Sequence, residues 1–430
     1  MISPDLKIYF SGDSGYGAHY KEAGATFDGF DLAILDSGQY NEAWRYPFHQ
    51  NLVVLVLDAG HIENHGLQSI SMEDKCRIII YYPVLVYRDS KGGNILDNTH
   101  FKDISILYIA KYAPKHLGAS LPTGIDDEIY AKYHYAIHEI LCNNFCNVDS
   151  SSDIAVLNST PNVDFIFSLF NRLPFRNSEV FVSAVAEYYN IPYLGGRPNI
   201  RALAEDKHLA KMMALYAEVP TPRWKTYNIQ EKVTPPDFSG PYFVKPRFGA
   251  SSEYIDEESI CLSWQNAYER IMYLQNNQQD VILEELVDGV YYTSPIINNF
   301  GQAVFLPCIK EWSNLIYGVV TYEQKRKIKD GLVRTISQDQ TLQKQIHHYS
   351  SRIYSMITPI DYTRIDYMVS QKNGIPYFIE FNMCCNLGEH SSISQSAYHL
   401  GVNYEKLIMN IILSSMYRAN LIQDTFGYDF

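Results

Sequence analysis

The chain lacks any run of 18 apolar residues, so nothing in it reads as a membrane-spanning helix. It also lacks an excess of basic charge: 35 Lys and Arg stand against 48 Asp and Glu, for a net charge of −13. That balance excludes a broad nucleic-acid-binding face, although a local basic pocket is compatible with it. The opening residues MISPDLKIYF contain no charged segment followed by an apolar one, and a cytoplasmic protein is the expectation. Low-complexity tracts are missing and charged content is only 19% against 46% hydrophobic, which favours a buried core over disorder. Cysteines are few and poorly spaced for metal. Of seven, the close pairs are Cys142/Cys146 and Cys384/Cys385, and no CxxC faces a second one. Free thiols are expected instead of a structural zinc site. Tyrosine is abundant at 35 residues, but it serves cores and polar pockets alike and assigns no function.

A length of 430 residues suggests two or three domains. The first part alternates strand-like and helix-like runs. Strands are expected at 7–10, 31–35, 52–58, 76–82, 104–110, 154–157, 164–170 and 192–194, with helices at 128–143 and 178–189. Continuous apolar strands separated by helices predict a parallel sheet covered on both faces. The glycines of SGDSGYG (11–17) follow the first strand, but they complete neither GxGxxG nor GxxxxGK[ST], and a plain turn is the simpler reading. A helix is expected over 200–217, stopped by Pro220-Thr221-Pro222. Strands at 242–245 and 281–284 then enclose a helix at 263–276. Further strands at 291–298 and 303–308, a polar segment at 323–331 and helices at 339–356 and 404–416 complete the pattern.

The most informative stretch is YTRIDYMVS-QKNGI-PYFIEFN, residues 362–382. Two apolar runs flank Asn373-Gly374, a strong hairpin signal. The two-residue period of a strand puts Arg364 and Asp366 on one face, and Glu380 and Asn382 on one face of the partner. Pairing brings two carboxylates, an amide oxygen and a guanidinium together. This set suits a hard cation carrying phosphates. A solvated face with scattered charge is the plain alternative.

Three other segments carry weaker signals. In PYFVKPRFGASSEYI (241–255), Lys245 ends an apolar strand and small residues follow, a pattern that fits polyphosphate binding. In VILEELVDG (281–289), a strand edge with free backbone groups can hold a purine. Lys325 stands in the polar segment, where a lone lysine is ordinarily a surface residue.

Taken in order, these pieces resemble the ATP-grasp superfamily, and within it the D-alanine–D-alanine ligase type. The resemblance covers 180–400. It rests on IPYLGG (191–196), AEDKHLAK (204–211), VPTP (219–222), FVKPRFGASS, EELVDG, RIDYM, IEFN and His390-Ser391. It implies an ATP-grasp fold, α/β and α+β in class. An enlarged N-terminal parallel α/β domain would span 1–198, a central subdomain with a Gly/Ser flap 199–287, and a C-terminal subdomain with the metal residues 288–430. It further implies that Lys207 and Lys245 touch ATP phosphates, Ser251 and Ser252 cover them, and Glu284, Glu285 and the Val287 N–H hold adenine. Asp366, Glu380 and Asn382 would bind two magnesium ions. Lys325 and Arg364, with Ser251, would stabilise phosphoryl transfer. Ser391, His390 and Asn386 would face the substrates. The implied reaction joins a small-molecule carboxylate to an amine through an acyl phosphate, and relatives of this kind commonly form homodimers.

The chain departs from the family pattern in ways that touch the substrates. Cys384-Cys385-Asn386 follows the Glu-x-Asn strand where a Pro-Gly loop is usual. Ala250 replaces a flap glycine, and Tyr291 stands where a ribose-binding glutamate is expected. The usual His-Gly and Gly-Glu-Asp-Gly elements give way to SLFNRLPFRNSE. These changes predict substrates other than two D-alanines. A regulatory protein with a degenerate ATP-grasp fold, true D-alanine–D-alanine ligase activity and an imine-forming ligase of the mycosporine-synthesis type are the alternatives.

Overall fold

The computed structural model describes residues 8–10, 32–34, 101–122, 128–159, 161–170, 178–249, 253–313 and 332–430. The chain divides into two compact units, Met1–Leu96 and Asp97–Phe430. In the first, strands β1 (Ile8–Phe10) and β2 (Leu32–Ile34) pair in parallel, where two of the expected strands fall. The strands expected at 52–58 and 76–82, the turn at 11–17 and the polar segment at 323–331 lie outside the described residues.

The second unit opens with β3 (Ser105–Ile109), helix α1 (Glu128–Asn144), β4 (Asn147–Ser151) and β5 (Phe165–Ser168). The three strands form a parallel sheet in the order β4-β3-β5. Strand β3 is buried on both sides: Ile106 and Tyr108 enter one core, Leu107 and Ile109 another. This is the expected two-faced parallel sheet. Helix α1 turns Ala131, His134, Ile137, His138 and Leu141 inward, at the spacing of one helical face. Two expectations fail here. Residues 154–157 form a 3-10 turn, Ile154–Asn158, whose start is capped by the Asp153 side chain accepting from the Ala155 N–H. The segment 192–194 makes just one isolated bridge, Ile166 with Tyr193. The unforeseen strand β4, NVDSS, is a polar sheet edge and carries no apolar run to announce it.

Helix α2 (Val180–Tyr189) leads to α3 (Pro198–Glu205) and α4 (Lys207–Tyr216). The single helix expected over 200–217 is thus broken at Asp206. Its carboxylate caps α4 by accepting from the His208 and Leu209 N–H groups. It also receives both Arg247 Nε (2.8 Å) and Nη2 (2.6 Å). An aspartate committed to capping competes with helix continuation.

Strands β6 (Trp224–Tyr227), β7 (Tyr242–Pro246), β8 (Ile260–Cys261) and β9 (Val281–Glu285) build an antiparallel sheet in the order β6-β9-β7-β8. Helix α5 (Trp264–Asn276) packs on it through Ala267, Ile271 and Leu274. A larger antiparallel sheet follows. Its strands are β10 (Gly289–Asn299), β11 (Gln302–Phe305), β12 (Ile309–Ser313), β13 (Leu332–Ile336), β14 (Tyr362–Ser370) and β15 (Pro376–Asn382). They lie in the order β13-β12-β10-β14-β15, with β11 beside β10. Helix α6 (Gln340–Ile357) covers this sheet with Ile346, Ile353 and Ile357. Helices α7 (Ser392–His399) and α8 (Tyr404–Arg418) close the chain. Helix α8 is buried nearly all round. Its Ile408, Ile411 and Ile412 share one core with Ile106, Tyr108 and Phe167 of the parallel sheet.

Candidate active site

The hairpin forms as its sequence predicts. In the β14–β15 ladder Arg364 stands opposite Asn382 and Asp366 opposite Glu380, with a bulge directly after Asp366. Gly374 takes the left-handed conformation (φ +70°) in the connecting loop. Asp366 is fully buried. Its Oδ1 accepts from Thr293 Oγ1 (2.7 Å), and its Oδ2 accepts from Asn382 Nδ2 (2.9 Å) and faces Arg364 Nε at 3.3 Å. Burial opposes the charge on Arg364, but Asp366 outweighs it and holds the guanidinium more basic than usual.

Two sheets supply the nucleotide-facing candidates. Glu284, 2% exposed at the end of β9, lies between two buried ammonium groups. Lys211 Nζ approaches its Oε1 and Lys245 Nζ its Oε2, each at 3.1 Å. Burial works against the carboxylate, yet Lys211 and Lys245 win and keep Glu284 more acidic than usual. Burial lowers Lys211 to about 8, Lys245 adds to the effect and Glu284 resists it. Lys211 Nζ also donates to Thr221 Oγ1 (2.9 Å), whose hydroxyl donates to the Phe378 carbonyl (2.8 Å). Lys211 therefore ties helix α4, strand β9 and the β14–β15 hairpin into one network. It was not among the predicted site residues. The signal was in AEDKHLAK, where Lys211 follows Lys207 by four positions and shares its helix face.

Lys207 is 6% exposed and donates from Nζ to the Gly249 carbonyl at 2.6 Å, at the start of the flap segment. Burial lowers its basicity while the charge of Glu380 opposes that. Lys207 thus senses the β15 carboxylate although it stands on another element. Strand alternation separates the two hinge glutamates: Glu285 points outward to Arg223 (3.1 Å), a solvent-exposed pair of small energetic weight. Its side chain is therefore placed away from Glu284. Among the described residues no group accepts from the Val287 N–H. Gly289 follows because a side chain there would collide with the Val369 carbonyl.

Beyond Asn382 the chain turns through Met383–Gly388. Asn386 Oδ1 accepts from the Gly388 N–H (2.6 Å), and Cys384 Sγ accepts from the buried Arg201 guanidinium. Arg201 also donates to the Leu194 and Gly196 carbonyls, so the Cys384 loop is fastened to the IPYLGG segment. Ser391 is the N-cap of α7 and accepts from the Ser394 N–H, while His390 beside it is exposed. Ser251, Ser252 and Lys325 lie outside the described residues. Thr293 and Arg201 were not foreseen. Each acts through a pairing between distant segments that no local pattern reveals.

Asp366 and Glu380 face each other with Asn382 beside them, a donor set that fits Mg²⁺, which takes one or two carboxylates and completes its shell with phosphate and water. Among the described residues no group of three or more His, Cys, Asp or Glu is placed to hold a metal by itself.

The family model described as D-ala D-ala ligase C-terminus matches residues 212–413. The chain is 25% identical over 307 residues to D-alanine–D-alanine ligase B of Clostridium perfringens, covering 70% of this chain and 92% of that protein. It is 28% identical over 233 residues to the D-alanine–D-alanine ligase of Aquifex aeolicus, covering 54% and 76%. Among solved structures, the D-alanine–D-alanine ligase of Bacillus anthracis complexed with ATP superposes with a TM-score of 0.58 at 19% identity, over 74% of this chain and 99% of that one. The VanG D-Ala:D-Ser ligase of Enterococcus faecalis superposes with a TM-score of 0.54 at 16% identity, over 73% and 99%. Together these define the class of the fold, which is that of the ATP-grasp ligases. Within that class the chain is similar to the D-alanine–D-alanine ligases, which marks it as an ATP-dependent enzyme that forms C–N bonds.

Proposed function

We propose that this protein joins a small carboxylic acid to an amine through an acyl phosphate, and that its substrates are not two D-alanines. The observation that carries the chemical half is the facing pair Asp366 and Glu380 with Arg364 and Asn382 in register beside them. In this reading Lys207 and Lys245 contact the phosphates of ATP, and Glu284 with the Val287 N–H holds adenine. Ser251 and Ser252 close over the nucleotide, and Lys325 joins Arg364 at the transferring phosphoryl group. Asp366, Glu380 and Asn382 would hold two Mg²⁺ ions, which supply charge neutralisation on the phosphates. The buried ammonium groups and Arg364 lower the cost of bringing an anionic acid to anionic ATP. Helix α7, started by Ser391, and the neighbouring His390 and Asn386 belong to the substrate end. The division at 198/199 and 287/288 separates N-terminal, nucleotide and metal regions.

The substrate half rests on the loop after Asn382. Asn386 spends its side-chain oxygen on Gly388, and Cys384 is held by Arg201. A side chain at 386 keeps a ligand further from the backbone than a glycine would. The degenerate, purely regulatory alternative is disfavoured because nucleotide binding alone does not require both carboxylates and their arginine in register.

The test is a matrix of amino acids, offered pairwise with ATP and Mg²⁺, read by ADP release and by mass detection of the product. Release should require both an acid and an amine. If D-alanine alone gave the highest kcat/KM, the substrate half would fall. If Asp366→Ala left ADP release unchanged, the assignment of the site would fall.

A further inference from the structure

Four consecutive carbonyls, those of Tyr193 to Gly196, are received alternately by two arginines. Arg418 Nη2 donates to Tyr193 (3.1 Å) and Gly195 (3.3 Å). Arg201 donates to Leu194 from Nη2 (2.7 Å) and to Gly196 from Nε (2.8 Å). Both glycines answer to close approach. A side chain on Gly195, which sits at φ +101°, would run into the Arg201 guanidinium, and one on Gly196 would run into Met383. The segment is thus moulded to Arg201 and to the residue that opens the loop after Asn382.

The two arginines are not equivalent. Arg418 gives Nε (2.7 Å) and Nη2 (3.0 Å) to Asp361, so its charge is matched within the scaffold. Arg201, 6% exposed, sends Nη1 to Cys384 Sγ at 2.6 Å. The thiol donates in turn to the Glu179 side chain. Glu179 stands directly before α2, and its N–H donates to Glu205 Oε1 (2.9 Å), one turn beyond Arg201 on α3. Cys384 therefore closes a ring of polar contacts from α3 to the start of α2 and back. Its chain neighbours are fixed by apolar burial, Met383 in the core of the large sheet and Cys385 and Leu387 in the core of the parallel sheet. Cys385 also senses the charges of Arg364 and Asp366. A shift at Cys384 is thus a shift of Cys385 and Asn386 relative to Arg364.

Resting on the reading that this loop meets the acid and the amine, we propose that Arg201 is a positioning residue for the ligation, acting through the Cys384 thiol to set where Cys385 and Asn386 stand beside Arg364. A thiol suits the task because it accepts from the guanidinium and donates to the carboxyl group at once. Arg418, held by Asp361, keeps the scaffold alone. The nucleotide-facing groups hang on other ties: Lys207 on the Gly249 carbonyl, Lys211 and Lys245 on Glu284. The Arg201–Cys384 pair therefore governs the organic substrates and leaves ATP aside.

Steady-state kinetics of the full-length protein test this, with the two amino acids that release most ADP in the pairwise matrix. Cys384→Ala should raise KM for at least one of them about tenfold, the worth of one hydrogen bond to a charged group. KM for ATP and the calorimetric affinity for ADP with Mg²⁺ should stay as they are. Cys384→Ser, whose hydroxyl can make both bonds, should recover most of the loss. Arg201→Lys keeps the charge but not the planar fork, and should raise the same KM. The double variant Arg201→Lys/Cys384→Ala should be no worse than Arg201→Lys alone, because both substitutions break one contact. Equal KM values in the alanine and serine variants, a KM for ATP that rises in step, or effects that multiply in the double variant overturn the positioning role and leave the ligase reading standing. A wild-type protein that releases no ADP with any pair overturns both.

Discussion

Replacing Glu284 with glutamine should be among the most damaging isosteric changes in the described part of the chain. The amide keeps the shape and removes the charge, leaving the Lys211 and Lys245 ammonium groups, each 3.1 Å from the former carboxylate, without their anion. At an effective dielectric of about 20, each such contact is worth about 5 kcal/mol before desolvation is counted. Removing one partner of a buried ion pair costs about 3–5 kcal/mol net. The loss is also capped, because one lysine can surrender its proton. Neutralising a lysine of reference value 10.5 at pH 7 costs about 5 kcal/mol, and burial already lowers Lys211 to about 8. We therefore expect Glu284→Gln to lose about 3–5 kcal/mol of stability at pH 7 in urea unfolding. The deficit should narrow as pH rises above about 8, where Lys211 gives up its charge in the fold. Adding Lys211→Met should recover about 1–3 kcal/mol, since the two sites are in direct contact. Strict additivity of the two substitutions, or a loss below about 1 kcal/mol, would refute the picture of a charge-locked hinge.

Three further outcomes are expected. Lys211 itself should make stability depend on pH: its folded value of about 8 lies below its reference of 10.5, so protonation disfavours the fold and stability rises between those two values. The rise is about 3 kcal/mol and should vanish in Lys211→Met, as followed by denaturant midpoints across that range. Arg364→Lys should lower kcat by a factor of about 100 with little change in the affinity for ADP, because an ammonium cannot both keep the contact that Arg364 Nε makes with Asp366 and present further planar donors. Asp361→Asn should cost about 3 kcal/mol in unfolding free energy without altering nucleotide affinity. That carboxylate is fully buried and receives Arg418 Nε (2.7 Å), Arg418 Nη2 (3.0 Å) and the Gly195 N–H (2.5 Å).

What was legible in the sequence was whatever is local. The β14–β15 hairpin announces its register through alternation and Asn373-Gly374, and Arg364, Asp366, Glu380 and Asn382 fall where that period puts them. Alternation also contained the separation of Glu284 from Glu285, though their shared label as adenine ligands passed over it. The break at Asp206 was harder to see, because the residue that opposes it, Arg247, is 41 positions away. Strands β6 and β13 are short and mixed, and β4 is polar, so none carries the apolar run that marks a strand. Lys211, Thr293 and Arg201 acquire roles from partners on other elements. Each looks ordinary until the sheets are assembled.

The continuity of α8 with the parallel sheet has a consequence for synthesis. Ile106, Tyr108 and Phe167 leave the ribosome early, yet the side chains that complete their core, Ile408, Ile411 and Ile412, come near the end. The Tyr428 hydroxyl bonds Asn144 across 284 residues. At about 5–20 residues per second, that separation is a wait of roughly 15–60 s. During it, that face of the parallel sheet is covered only in part, by Ile137 and Leu141 of α1, and the nascent chain offers the rest of its apolar surface to chaperones or to its neighbours. Truncation from the C-terminus should therefore injure the start of this unit first, far along the chain from the cut.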